Sequence, residues 1–106
     1  MDYSTPLELR AALVELFPAF AVESEAAGAQ SYHRVVMDLA PLLKSYLEGG
    51  SVRKVRTFGE IVNHLVAAGG DQQNAIETCL LEHASQVGCA RLLKPHLGEA
   101  AKRKLR

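Results

Sequence analysis

Tryptophan is absent from this chain, and cysteine is confined to Cys79 and Cys89. Two cysteines do not make the framework of a small disulfide-rich fold, and their spacing does not match a closed zinc motif. Net charge is lacking too. Twelve Lys and Arg balance twelve Asp and Glu, which argues against both a disordered chain and a generic nucleic-acid binder. No apolar run approaches the roughly 18 residues of a membrane span. Met1 is followed by Asp2 and a helix cap rather than by a basic and then apolar leader, so the expected setting is the cytoplasm, with free thiols acting as small buried hydrophobes. G-x-G-x-x-G, Walker and glycine-elbow serine patterns are missing, and no cofactor site is expected.

What is present is apolar residues, 48% of 106 positions, enough for the core of one domain over 1–106. The balanced charge is unevenly placed. Residues 1–40 hold six acids against Arg10 and Arg34, whereas residues 41–106 hold ten bases against six acids. Such polarity suits an asymmetric partner or an antiparallel self-pair, although a neutral chain also produces it by chance.

The apolar spacing is helical throughout. In "STPLELRAALVELFP", Thr5 reads as N-cap, Pro6 as the first helical residue and Glu8 as the third, completing a capping box that Pro18 ends. Leu9, Ala12, Leu13, Leu16 and Phe17 form one face, and Leu7, Ala11 and Val14 form a second that is spare. The acidic, Ala-rich stretch from Pro18 to Gln30, with Gly28 near its end, reads as a connection holding a short helical turn anchored by Phe20 and Val22. "SYHRVVMDLAPLLKSYLE" carries the clearest period, with Val35, Val36, Leu39, Leu43 and Leu47 inward and Pro41 outward, before Gly49 and Gly50.

The next helix has two candidate starts. Ser51 can cap it, and so can Thr57 through a second capping box, "TFGE", with Glu60. The choice matters for Arg53, Lys54 and Arg56, because cations at a helix amino terminus oppose its dipole by about 0.3–1 kcal/mol each. A linker before Thr57 would hold them at no such cost. "DQQNAIETCLLEHASQVG" reads as a helix capped by Asp71 and ended by Gly88, with Ile76, Leu80, Ala84 and Val87 inward. A short turn at 90–94, Pro95 and a last basic helix over 98–105 follow. The Gly-Gly links imply antiparallel neighbours, so the expected fold is all-α: a compact bundle of about five antiparallel helices, or a short right-handed stack of helix pairs.

Few groups carry chemistry. Cys79 and His83 stand four apart, within reach on a continuous helix, and could form an activated thiolate. The plainer reading makes His83 a hydrogen-bonded core residue. His33 and His64 are expected at or near the surface. The terminal cations Lys102, Arg103, Lys104 and Arg106 suit a helix carboxyl end and need no ligand, and neither basic group is interleaved with aromatics.

"FGEIVNHLVAAGGDQQNAIETCLLEHAS", followed by "LLKPHLGEAAKRKL", resembles a family of small bacterial helical domains of unknown function over about residues 31–106. Some domains of that kind are associated with toxin and immunity modules, which implies a stoichiometric protein-binding role and no particular functional residue. The acidic amino-terminal region has no evident counterpart in the resemblance. The expected function is a non-enzymatic interaction module. Arg53, Lys54 and Arg56 would dock an acidic partner surface, with Leu7, Ala11 and Val14 giving apolar contact or a homodimer seam. A cysteine-based redox sensor or small enzyme using Cys79 and His83 is the alternative, and a nucleic-acid binder is a further, disfavoured one.

Overall fold

A computed structural model describes residues 3–25 and 29–106, so Asp2 and Gly28, near the end of the expected connection, lie outside the described residues. The fold is all-α. Helix α1, Pro6–Leu16, starts as its caps predict: Thr5 Oγ1 accepts from the Glu8 N–H at 3.2 Å. The Glu8 carboxylate reaches one residue further back, accepting from the Ser4 N–H at 3.2 Å. Leu9, Leu13 and Phe17 are buried on its inner face. The short α2, Phe20–Glu23, is anchored by a fully buried Phe20. Val22 is no anchor. It is 86% exposed, because two residues on from Phe20 a helix has turned by roughly 200°.

Helix α3, Tyr32–Glu48, is capped by Ser31 and buries Val35, Val36, Leu39, Leu43 and Leu47, with Pro41 on the exposed side. Helix α4, Val52–Ala68, is capped by Ser51, whose Oγ accepts from the Lys54 N–H at 3.3 Å. That resolves the two candidate starts. Thr57 lies inside the helix, since the earlier start also brings Val55 into the core.

Helix α5, Gly70–Cys79, corrects two expectations. Its N-cap is Gly69, at φ 72°, which also ends α4, and Asp71 sits in the first turn without capping by its side chain. The helix then stops at Cys79 instead of running to Val87. Leu80 leaves it at φ −129°, and Leu81–His83 form a 3₁₀ turn. Leu80 and Leu81 are both fully buried at this break. The Thr78 hydroxyl donates to the Asn74 carbonyl at 2.7 Å, a back-bond that loosens helices. The sharp turn at Gly88 occurs as expected, at φ 80°.

Helix α5 packs against both α3 and α4, and α1 packs on α3. Tyr3 joins three of these elements: its carbonyl accepts from Tyr32 Oη and, at 3.1 Å, from Gln72 Nε2, and its ring meets His64 edge-on at 5.3 Å. His64 is half-buried, its ring against Tyr3.

The tail is folded back on α4. Helix α6, Ala90–Leu93, leads into a 3₁₀ turn, Lys94–His96, and α7, Glu99–Lys102, closes the fold. Gly59 and Asn63, one turn apart on α4, hold this return. A Cβ at Gly59 would lie 2.6 Å from His96 Cβ and 2.8 Å from its carbonyl oxygen. Asn63 donates from Nδ2 to the His96 carbonyl at 3.3 Å and accepts at Oδ1 from the Gly98 N–H at 2.8 Å.

Alanine in place of glycine inside a helix ordinarily stabilises by about 0.8–1 kcal/mol. At Gly59 the sign reverses, because the added methyl meets backbone that cannot yield. Gly59→Ala is expected to destabilise the protein by about 1–3 kcal/mol, read as a lower thermal midpoint. An unchanged or raised midpoint would show that α4 and the tail are not in this contact.

Candidate functional site

Arg53 and Lys54 fall in the first turn of α4, a turn with no acidic side chain. Both are exposed, and among the described residues neither forms an ion pair. They stand at the mouth of a groove of about 520 Å³ between α1 and the start of α4. Ala12 and Leu16 give it an apolar wall from α1, and Ile61 adds one from α4. Glu15 also lines the groove, without pairing to either cation.

The other expected contact residues are arranged differently. Arg56 is exposed but outside this groove, about 200° around α4 from Lys54. Leu7, 53% exposed, and Ala11 lie on the outer face of α1, away from the groove. Val14 is half-buried and packs against the core. The six residues thus form no single surface. The apolar component beside the two cations comes from Ala12 and Leu16, which the sequence assigns to the inner face of α1.

A second concave surface is more strongly charged. Arg91 and Lys94 from the α6 region meet Lys102 and Arg106 around a groove of about 740 Å³ that Pro95 and Leu105 also line. The chain return creates it: the Arg106 N–H donates to the Leu81 carbonyl at 2.9 Å, and the Ser85 N–H donates to the Arg106 main-chain oxygen at 2.7 Å. In sequence the only sign is two short basic groups eight residues apart, and their convergence depends on contacts that spacing does not encode.

The Cys79 and His83 pair loses its geometric basis at the helix break. Cys79, the last residue of α5, is half-buried with its sulfur 3.7 Å from Thr78 Oγ1. His83 is exposed on the 3₁₀ turn, its Nδ1 3.1 Å from Gln86 Oε1, so it is not the core residue that a continuous helix predicts. His33 is half-buried, its Nε2 3.1 Å from Asn74 Nδ2. Among the described residues no cluster of three or more His, Cys, Asp or Glu is placed to hold a metal ion, and no helix is long and apolar enough to cross a membrane.

These features define a small all-α domain with two basic grooves. The chain belongs to the family described as domain of unknown function DUF7674, whose sequence model matches residues 10–105. The match begins at Arg10, inside α1, and takes in the Ala-rich acidic connection for which the resemblance offered no counterpart. No curated protein and no solved structure matches the chain.

Cys89 is fully buried in the turn before α6, and burial pushes its thiol up to about 11 from an ordinary value of 9.0. The folded state then holds the proton more tightly than the unfolded chain, so stability is complete below pH 9 and declines as pH rises toward 11. The thiol should account for about 2 kcal/mol of the loss between about pH 8 and 10.5. Denaturant unfolding across that range should give a shallower decline for Cys89→Ala than for the native chain. Parallel declines would contradict the buried, neutral thiol.

Proposed function

We propose that this domain is a non-enzymatic protein-interaction module that docks an acidic partner surface through the groove beside Arg53 and Lys54. The bacterial cytoplasm is the proposed setting, and an immunity or regulatory protein the proposed role. One observation carries this reading: two unpaired cations occupy the first turn of α4, where the helix dipole disfavours them, at the mouth of a groove with apolar walls. A carboxylate at either position would suit the isolated helix better. An acidic partner supplies the compensating charge, and Ala12, Leu16 and Ile61 supply contact that excludes water from it. The Cys79 and His83 alternative has no comparable support, since the two side chains have separate neighbours.

The reading predicts a split between stability and binding. Replacing both cations, Arg53→Glu with Lys54→Glu, should stabilise the free domain by about 0.3–1 kcal/mol per site. The same variant should lose capture of a protein that the native domain retains from host lysate at low salt and releases at high salt. Capture by the variant with unchanged salt dependence, or a variant less stable than the native chain, would overturn it.

A further inference from the structure

We propose that the basic groove formed by α6, α7 and the last residues receives the acidic α2 corner of a second copy of this chain. This does not rest on the groove beside Arg53 and Lys54, which shares no residue with it.

The groove is held in place as a receptor. Lys94 and Pro95 lie in the 3₁₀ turn that Asn63 fixes through His96 and Gly98, and Arg106 is fixed by its two backbone hydrogen bonds to Leu81 and Ser85. Among the described residues no acidic side chain lines it. Of its four cations only Lys102 has an ion pair among the described residues, a long contact of 4.0 Å to Glu99. Like charges gathered in a groove that Pro95 and Leu105 also line suit an anionic ligand with an apolar part.

The chain carries such a ligand. At the α2 corner Val22 is 86% exposed, with Glu23 and Glu25 beside it, exposed and without ion pairs among the described residues. This corner is also fixed. Arg10 donates from Nη2 to the Ser24 carbonyl at 2.8 Å and from Nε to Ser24 Oγ at 3.3 Å, Ser24 Oγ donates to the Phe20 carbonyl at 3.0 Å, and Phe20 is fully buried. An exposed valine followed by two carboxylates meets a groove that holds Pro95 and Leu105 among four cations, and hydrogen bonds hold the backbone on both sides. The charge division of the whole chain, acidic in residues 1–40 and basic after, favours a pairing between copies. A nucleic acid fits less well, since no aromatic ring lines the groove for base stacking.

A charge swap tests this. One variant carries Glu23→Lys and Glu25→Lys, the other Arg91→Glu and Lys94→Glu; all four positions are exposed, so folding should be kept. In sedimentation equilibrium the native chain should self-associate at about 0.05 M salt, with association weakened about tenfold or more at about 0.5 M. Each variant alone should be monomeric, like charges now facing each other, and an equimolar mixture should associate again. A native chain that stays monomeric, variants that associate as the native chain does, or a mixture that fails to recover would each overturn the proposal. So would a monomeric native chain that binds a fluorescent hexaglutamate peptide, which would give the groove to a foreign acidic segment.

Discussion

At Gly59 the backbone of α4 comes so close to His96 that a single added carbon would lie 2.6 Å from that residue's Cβ. One turn on, the Asn63 amide closes the contact by accepting from Gly98 and donating to His96. The rest of the arrangement depends on this clasp. Without it the tail after Gly88 offers only short helices of four residues, α6 and α7, which have no independent stability. With it, Leu93, Leu97 and Ala101 are delivered to the core, and the backbone of Arg106 can pair with the turn at 81–85. The glycine serves by having no side chain, and the asparagine by presenting a donor and an acceptor on one planar group.

Both basic grooves follow from how α4 is held. Its amino end projects Arg53 and Lys54 beside α1, and its middle fixes the turn that carries Lys94 and Pro95. Charge is placed where local physics alone would not put it. The first turn of α4 carries cations at the positive end of a dipole, and four cations share one concave surface in a chain of zero net charge. The core, by contrast, is ordinary: aliphatic side chains with Phe20 and Phe58 fully buried, and Phe17 stacked on Tyr46 at 5.2 Å. The Tyr46 phenol is raised by burial and by the charge of Glu23.

How much of this was legible in sequence depends on how local each cause is. Helices α1 and α3 were, because Thr5, Pro6, Ser31 and the inward aliphatic rows act within a turn or two. The start of α4 stayed open between two adequate caps, and burial of Val55 agrees with the earlier one. The end of α5 was misread because neither Gly nor Pro marks it. The local feature at that end is the back-bond from Thr78 to the Asn74 carbonyl, which spacing does not reveal. Of the candidate contact residues, Arg53 and Lys54 stand out in the sequence by their charge, and the structure places both beside the groove next to α1. Their separation from Leu7 and Ala11 required the placement of α1 against α4, and the second basic groove required a clasp between residues 33 and 35 positions apart.

The clasp can be read directly at the Gly98 amide, whose proton is held by Asn63 Oδ1. In native-state hydrogen exchange this amide should be protected, and in Asn63→Ala it and the amides of 90–105 should exchange faster together, while those of α3 and the middle of α4 remain slow. A Gly98 amide exchanging at the free-peptide rate in the native chain, or one unaffected by Asn63→Ala, would contradict the account of how this fold is closed.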